Sequence, residues 1–247
     1  MKQNQSDLPT EMPYARIAVS GADAMEFLQG QLTHDLALLD DRPALRAAWC
    51  TPKGRVITVF EVTRHGDGFR LLLPAELAED VVKRLTMFRF RSKVDFEIET
   101  LGDDDPAFDG DLEAWRLAHL RAGIAEIAAA QSEEFTPHML NLDLVDAVSF
   151  DKGCYTGQEI VARTHYRGSS KRRMYRLSCD AAVQPGDEIL DGGTKAGTVV
   201  NFMNGELLAV VSSSRLKDTL TIGGATATLG RLPYELEDGG IRDATDD

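Results

Sequence analysis

The last third of the chain carries the pattern that most restricts its fold, a series of closely spaced turn signals. From Met174 onward, short runs of β-forming residues alternate with clusters of turn residues. Glycine, proline, asparagine and aspartate favour turns because they preset φ or tolerate positive φ. Such spacing predicts a small all-β sandwich or barrel, followed by an acidic, frayed end from Glu235 to Asp247. The turn segments are residues 185–187, 191–193, 204–205 and 223–224.

The first hundred residues mix hairpins with amphipathic helices. A turn at 51–54 joins two strand-like runs, and residues 75–90 repeat apolar side chains every three or four positions, as a helix does. Residues 102–111 are the best candidate for a linker, and a further helix is expected to begin near Leu112. Residues 134–144 show no clear periodicity. The strand-like runs are residues 14–19, 45–50, 55–63, 69–73 and 93–99.

With 247 residues, the chain is long enough for two or three small units. No apolar run approaches the roughly 20 residues that cross a bilayer, and the first residues show no secretory or organellar leader. A cytoplasmic location without membrane contact is therefore expected. The three cysteines, Cys50, Cys154 and Cys179, form no CxxC pair. This argues against a disulfide scaffold or a self-contained zinc site and favours reduced thiols.

A formal charge of −13 argues against a general nucleic-acid binder, because nonspecific affinity for phosphate comes from clustered positive charge. One segment has the opposite sign of charge, with six cationic residues within fourteen positions. It predicts attraction for a carboxylate-rich or phosphate-rich ligand, and the alternative is a solvated strand and loop. The six residues are Arg163, Arg167, Lys171, Arg172, Arg173 and Arg176.

The most informative stretch is residues 152–159. Thr156 and Glu159 have the spacing of a capping box ahead of an apolar run, which predicts a helix beginning at Thr156. Cys154 then precedes a helix N-terminus near Lys152, where free amides, the helix dipole and an ammonium all favour the thiolate. The same donors would equally hold a ligand carboxylate. The alternative is a small buried thiol beside a glycine-rich helix entry.

Other candidate groups are weaker. The five histidines show no HxH or HxxxH spacing that would mark a metal site. Trp49 and Trp115 either stack on an aromatic ligand or anchor the core. The chain contains no G-x-x-x-x-G-K-[ST] loop, so its sequence does not indicate nucleotide hydrolysis of that kind.

Residues 152–168, KGCYTGQEIVARTHYRG, resemble the signature of the YgfZ family of folate-binding proteins. Four further segments are similar to family blocks and stand in the expected order, so the resemblance covers nearly the whole chain. The family is related to the glycine-cleavage T-protein, an aminomethyltransferase, and to a mitochondrial iron-sulfur assembly factor of the same superfamily. The four segments are residues 27–33 (FLQGQLT), 50–55 (CTPKGR), 91–94 (RSKV) and 137–143 (PHMLNLD).

The resemblance implies an α+β fold, a ring of small domains of the glycine-cleavage T-protein type, with tetrahydrofolate near the central opening and a small C-terminal β-barrel. Residues 1–40 together with 101–170 would form a discontinuous, central folate-binding α+β domain. Residues 41–100 would form an α+β hairpin-helix domain, and residues 171–247 the barrel with its acidic tail. The family also suggests a monomer.

The resemblance further implies a function. The protein would be a tetrahydrofolate-binding accessory factor that works with iron-sulfur scaffold or client proteins to assemble or repair iron-sulfur enzymes, including tRNA-modifying enzymes. Its cofactor would be tetrahydrofolate or a one-carbon derivative. Three dispersed cysteines cannot supply the usual four thiolates of a cluster, so no stably bound metal is expected. A transient contact with tRNA is a further expectation.

Carried over residue by residue, the signature makes Cys154 the candidate catalytic thiol, for cluster or one-carbon chemistry, and gives Lys152 a contact with an anionic ligand group. The glycines permit the backbone path, and Gln158 and Glu159 shape the helix start. The candidate cofactor-binding residues are Lys152, Gly153, Tyr155, Gly157, Gln158, Glu159 and Arg163.

An aminomethyltransferase of the related family has an aspartate pair shortly after a glycine-rich turn, in a pattern resembling G-G-I-x-D-D. Aligning that turn with Gly54 puts Thr58 and Val59 at the aspartate positions, so the obvious group for assisting aminomethyl transfer is absent. This favours a folate-dependent assembly factor. Two alternatives stay open: a one-carbon transferase that uses another base, such as Glu61, and a tRNA-interaction module that uses the cationic residues of 163–176.

Overall fold

The computed structural model describes residues 14–168 and 170–236, and its first half is built on one antiparallel sheet. The sheet has five strands in the order β2-β3-β4-β1-β5, so the first strand of the chain lies between the fourth and the fifth. The predicted hairpins β2-β3 and β3-β4 are confirmed. The strands are β1 Tyr14–Ser20, β2 Ala44–Cys50, β3 Val56–His65, β4 Gly68–Pro74 and β5 Asp95–Thr100.

Two helices, α1 (Ala24–Gln29) and α2 (Ala75–Phe88), cover one face of this sheet. Helix α2 buries Leu77, Val81 and Leu85, the apolar stripe that its three-to-four-residue repeat predicts. The stripe packs in the same core as inward-facing strand residues. Burying each large apolar side chain contributes roughly 1.5–3 kcal/mol. The largest of these strand residues are Ile17, Trp49, Ile57, Phe60, Phe69 and Leu71.

The middle of the chain packs on the other face of the sheet. Successive strand residues point to opposite faces, and accordingly Trp49 joins the core under α2 whereas Ala48 and Cys50 join a second core with residues 120–161 and the barrel. This middle part contains α3 (Leu112–Arg121) and α4 (Gln158–Arg167). Single 3-10 turns lie at Leu36–Asp40, Pro106–Phe108, Ala129–Gln131, Pro137–Leu140 and Ser213–Arg215.

The last third forms a closed six-stranded barrel in the order β10-β11-β6-β9-β8-β7, with β7 pairing back to β10. Two-residue turns at Asn204-Gly205 and Gly223-Gly224 connect neighbouring strands, and three of these four residues are glycines with positive φ. Closure leaves no free sheet edge. The predicted barrel is therefore confirmed. Its strands are β6 Arg172–Cys179, β7 Glu188–Asp191, β8 Thr194–Met203, β9 Glu206–Ser212, β10 Thr219–Ile222 and β11 Ala225–Leu229.

The sheet crosses one of the predicted domain boundaries. Strand β1, from the segment assigned to the central domain, pairs with β4 and β5 of the segment 41–100. The three-part division of the chain stays a prediction, and most of the predicted acidic tail, residues 237–247, lies outside the described residues. Among the described helices, none has the length and apolar character needed to cross a membrane.

Candidate functional site

Lys152 anchors the signature loop, defined here as residues 152–157. Its ammonium group donates hydrogen bonds to the carbonyl oxygens of Gln29 (2.7 Å), Leu32 (2.7 Å) and His34 (2.9 Å). These carbonyls lie at and just beyond the C-terminal end of α1, where backbone acceptors have no partner inside the helix. Because an ammonium has three hydrogens, all of them are committed to the protein. The predicted contact of Lys152 with an anionic ligand stays a prediction.

Two opposing influences act on the charge of Lys152. Burial lowers its pKa to about 8, while the nearby carboxylate of Asp35 acts in the opposite direction. The carbonyl acceptors and the ring of Tyr155, whose centroid lies 5.3 Å from Nζ, also favour the ammonium form. Lys152 is therefore charged at neutral pH.

Two glycines bring the turn at 51–54 against the signature loop. Gly157 has φ +84°, and a Cβ atom there would lie 2.5 Å from the carbonyl oxygen of Thr51. Gly54 has φ +69°, and a Cβ atom there would lie 2.8 Å from Cβ of Ile160 on α4. Only glycine fits both the backbone conformation and the space. Three segments that are distant in sequence, 29–34, 51–54 and 152–160, therefore meet at one place.

The predicted start of α4 at Thr156 is wrong, because the helix begins at Gln158. Gly157 occupies the N-cap position in the left-handed conformation and makes no side-chain cap. The Thr156 hydroxyl instead contacts Oε1 of Gln31 at 3.4 Å, and its amide donates to the carbonyl of Gly30 at 3.3 Å. The side chain of Glu159 pairs with Arg163 on the exposed surface of α4. The capping-box spacing is present, but both of its side chains have other partners.

The structure gathers some of the sequence-predicted residues and separates others. The ring of Tyr155 is buried near Lys152, and Gly157 is locked against the turn at 51–54. Gly153 and Cys154, which lie between Lys152 and Tyr155 in the sequence, are exposed, and Gln158 is partly buried at the start of α4. Glu159 and Arg163 face solvent as a pair. Assignment of this set to folate binding stays a prediction.

The three cysteines differ sharply in exposure, and this yields a first testable expectation. Cys154 is exposed, whereas Cys50 and Cys179 are buried, and burial raises the pKa of the Cys50 thiol to about 12. Because only an accessible thiolate reacts quickly, iodoacetamide should label Cys154 alone in the native chain and all three cysteines in urea. Peptide mass spectrometry identifies the labelled residues. Native labelling of Cys50 as fast as Cys154 would contradict the buried position.

A second group of polar and titratable side chains lies between the sheet and α3. His119 Nδ1 lies 2.9 Å from the carbonyl oxygen of Trp115, and Nε2 lies 2.9 Å from a guanidinium nitrogen of Arg46. A carbonyl only accepts and a guanidinium only donates, so His119 is a neutral imidazole protonated on Nδ1. Burial lowers its pKa to about 4, which agrees with that state. At neutral pH, His119 therefore adds no charge to the cluster.

Glu61 is the carboxylate that faces Arg46 and His119 in this cluster. It is partly buried, and its closest charged contact is Arg46, at 3.7 Å, beyond hydrogen-bond distance. Burial raises the pKa of Glu61, against the influence of Arg46. Within the described residues, the carboxylate accepts no hydrogen bond. Such a group costs free energy unless donors from water or a ligand reach it.

The cleft in front of Glu61 is called the Trp115 cleft below. Val59 and Glu61 point to the same side of β3 because they are two positions apart. The indole of Trp115 forms another wall and packs against His119, at a centroid distance of 3.8 Å. The cleft is narrow, with a volume of about 40 Å³, far below the roughly 300–1,000 Å³ of an ordinary small-molecule pocket. It is lined by Tyr14, Arg46, Val59, Glu61, Trp115, His119 and Glu126, among others.

Sequence reasoning missed Arg46 and His119 and considered Glu61 only as an alternative base. One local signal was available, because Arg46 and Glu61 are direct partners in the β2-β3 register. The predicted hairpin would bring them together once its register is known. His119 lies 73 positions from Arg46 and carries no such signal.

A wider, open cleft of about 830 Å³ lies between α1 and the end of α2. Residues of two family-like blocks line it, and one of them, Gln31, also contacts Thr156. The opposite rim carries Arg91 and Phe90, whose side chain is 90% exposed. This cleft has the size of a small-molecule site, and it is the alternative to the Trp115 cleft. No cluster of three or more metal-ligating side chains occurs among the described residues.

Comparison with known proteins identifies relatives along most of the chain. Residues 171–233 match the C-terminal β-barrel domain of the CAF17 family. An uncharacterised protein of Haemophilus influenzae is 31% identical, over 77% of this chain and 82% of that protein. The tRNA-modifying protein YgfZ of Aliivibrio fischeri is 29% identical, over 91% of this chain and 84% of that protein. The protein of that name from Cronobacter sakazakii is 28% identical, over 91% and 92%.

The fold also has a solved counterpart. The glycine cleavage system aminomethyltransferase T of Bartonella henselae superposes with a TM-score of 0.70, at 15% identity, over 89% of this chain and 83% of that one. At this level of identity the likeness concerns the fold. Together with the closed barrel, it confirms the predicted fold class of the glycine-cleavage T-protein type.

Proposed function

The chain belongs to the YgfZ family, and from that membership we propose that it is a tetrahydrofolate-binding accessory protein for the assembly or repair of iron-sulfur enzymes, including enzymes that modify tRNA. The names of its relatives and its aminomethyltransferase-like fold support the proposal. So does the resemblance of residues 152–168 to the family signature. The proposal includes a cytoplasmic, monomeric protein that meets iron-sulfur scaffold or client proteins.

One observation carries the folate part of the proposal, the Glu61 carboxylate in the Trp115 cleft, which accepts no hydrogen bond from the described residues. The pterin ring of tetrahydrofolate is flat and carries several N–H donors. A partly buried carboxylate without a hydrogen bond is a suitable acceptor for those donors, and charge-assisted bonds of this kind contribute about 1.5–3 kcal/mol. Trp115 and Val59 supply apolar walls, which must move apart for the cleft of about 40 Å³ to admit the ring. Burial raises the pKa of Glu61, and Arg46 partly offsets this effect by favouring the ionised form.

The second part of the proposal assigns Cys154 to cluster chemistry. Its thiol is exposed on a loop whose position is set by the Lys152 hydrogen bonds and by the Gly157 contact. A single thiol cannot hold a cluster alone, but it can supply one ligand of a cluster shared with a partner protein. A fixed, solvent-facing thiol suits such a transient contact.

A one-carbon transferase is the second candidate function, and the position of Glu61 favours it. Thr58 and Val59, which align with the aspartate pair, carry no carboxylate. Glu61 lies on the same side of β3 as Val59, two positions further along. Formation of methylene-tetrahydrofolate from an aminomethyl donor, lost in Glu61→Gln, would identify an enzyme. Folate binding without this product identifies the accessory protein.

Replacing Glu61 with glutamine tests the folate site. The variant should bind tetrahydrofolate about tenfold more weakly at pH 7.5, because it loses a charge-assisted acceptor. The pKa of Glu61 is raised by burial, so protonation of the wild-type carboxyl should begin above the ordinary range. Wild-type affinity should therefore fall more than that of Glu61→Gln as the pH is lowered from 7.5. Equilibrium dialysis under argon measures both.

Two control variants sharpen the result. Glu79→Gln makes the same change at an exposed position on α2 and should leave the affinity within about twofold. Arg91→Ala alters the open cleft beside α1 and should also have little effect. A loss confined to Arg91→Ala would move the folate to the open cleft. Equal affinity of Glu61→Gln and wild type across the pH range would refute the Trp115 cleft as the site.

A further inference from the structure

Aromatic and cationic residues at the C-terminal end of α4 and in the segments before and after this helix form a group called the α4 surface below. We infer that the α4 surface binds a single-stranded RNA loop, with bases stacked on its aromatic rings and phosphates held by its cations. The residues differ from those of the Trp115 cleft, so the inference does not depend on folate binding. The choice of RNA over DNA rests on the proposed function. The α4 surface comprises four exposed residues, His165, Tyr166, Arg167 and Lys171, and two partly buried ones, Phe150 and Arg172.

The aromatic rings form a small stacking platform. Phe150 and His165 are parallel within 13°, with ring centroids 3.7 Å apart. Tyr166 stands edge-on to His165 at 4.8 Å, and 66% of it is exposed. His165 is also exposed. Phe150 is partly buried against the second core, so His165 and Tyr166 supply the rings that are open to solvent. Such rings accept bases of any sequence, at roughly 1–3 kcal/mol per stacked base.

The structure divides the six cationic residues of 163–176 into two groups. Arg163 pairs with Glu159, Arg173 with Asp143, and Arg176 with Glu206. These three arginines are engaged in ion pairs within the protein. The remaining three, Arg167, Lys171 and Arg172, form no ion pair with any described residue.

The free cations are unusual for this protein because the chain carries a net charge of −13. The acidic residues nearest in sequence are Asp151, which is exposed beside Phe150, and Glu159, which is neutralised by Arg163. In the sequence around the end of α4, unpaired positive charge is therefore in excess. Clustered cations on an acidic protein attract phosphate locally while the remaining surface repels it.

The combination of features favours an RNA loop over other anionic partners. A duplex keeps its bases stacked inside, so the Phe150, His165 and Tyr166 rings would have no base faces to meet. An acidic peptide would satisfy the cations but would leave the rings without flat partners. An RNA loop meets both requirements, because its phosphates pair with the cations and its unpaired bases stack on the rings.

The position of the α4 surface links it to the thiol. Helix α4 has ten residues, which span about 15 Å. Cys154 lies just before the N-terminal end of this helix, and the α4 surface lies at its other end. An RNA loop held there would lie within reach of a client enzyme that contacts Cys154 in the signature loop.

Fluorescence anisotropy with a labelled RNA stem-loop tests the inference on the full chain. The double variant Arg167→Glu/Lys171→Glu should weaken binding at least about tenfold, and Tyr166→Ala about fivefold, from the loss of phosphate and stacking contacts. The slope of log affinity against log salt should be about −2, from two or three phosphate contacts. The matched control Lys83→Glu/Lys93→Glu has the same charge change at two exposed positions and should stay within about twofold.

Three results would overturn the inference. These are equal weakening by the control pair, preference for a duplex of the same sequence over the stem-loop, and equal binding of a polyglutamate peptide. Equal affinity for a DNA stem-loop would overturn the RNA assignment. Circular dichroism confirms that each variant is folded, and tetrahydrofolate binding by the double variant should be unchanged. Loss of RNA binding with folate binding intact therefore separates this inference from the proposed function.

Discussion

Lys152→Met is expected to reduce the free energy of unfolding by about 3 kcal/mol. Methionine keeps most of the length and apolar surface of the side chain but cannot donate to the carbonyls of Gln29, Leu32 and His34. Each buried acceptor left without a partner costs roughly 1–3 kcal/mol. Relief from burying the ammonium returns part of this loss, since that burial already lowers the pKa of Lys152 to about 8.

Urea denaturation followed by circular dichroism measures the effect. Lys83→Met, at an exposed position on α2, is the matched control and should change the unfolding free energy by no more than about 0.5 kcal/mol. The loss should be accompanied by faster proteolysis of the signature loop, because its tie to residues 29–34 is removed. If Lys152→Met were as stable as its control, the three carbonyls would not depend on the ammonium.

Gly157→Ala should be destabilised by about 3 kcal/mol or more. The added Cβ would lie 2.5 Å from the carbonyl oxygen of Thr51 and 3.2 Å from Cα of Gly54, and both are backbone atoms. The residue also has φ +84°, a conformation that costs alanine roughly 1–2 kcal/mol by itself. The substitution must therefore separate the turn at 51–54 from the signature loop or unwind the start of α4.

Gly153→Ala offers the matched control within the same loop. A Cβ atom at this position meets no heavy atom within 4 Å, and its backbone lies outside the positive-φ region. It should therefore leave the thermal midpoint nearly unchanged, whereas Gly157→Ala lowers it by several degrees. Differential scanning calorimetry compares the two. Equal midpoints for both variants would show that the close contact between Gly157 and the turn can relax at little cost.

The barrel could be predicted from the sequence because its determinants are local. Turn pairs such as Asn204-Gly205 and Gly223-Gly224 set the strand ends within a few residues. Helix α2 was equally accessible, since Leu77, Val81 and Leu85 repeat at helical spacing. Both elements depend on neighbours in sequence. Sequence patterns predict an element correctly when residues close in sequence determine its conformation.

The start of α4 shows where such reasoning fails. Thr156 has the right spacing for a cap, but its hydroxyl contacts Gln31, which lies 125 positions away. The acceptors of Lys152 lie 118 to 123 positions away, so the sequence suggested a ligand where the structure places backbone carbonyls. His119 joins Arg46 only through the packing of α3 on the sheet. These partners become visible once the tertiary fold is known.

The resemblance contributed what local patterns could not. It marked residues 27–33, 50–55 and 152–168 as family-like segments, and the structure brings these segments together through Lys152, Gly54 and Gly157. The barrel and the T-protein type of fold are confirmed. The ligand roles of the signature residues stay predictions, because most of their observed contacts are with the protein itself.

Anaerobic calorimetric titration of the full chain with tetrahydrofolate tests the central claim most directly. The account predicts saturable binding of one equivalent, weakened about tenfold by Glu61→Gln and unchanged by Arg167→Glu/Lys171→Glu. Absence of saturable heat from the folded wild type, with tetrahydrofolate and with its one-carbon derivatives, would contradict the assignment of this protein as a folate-binding accessory factor.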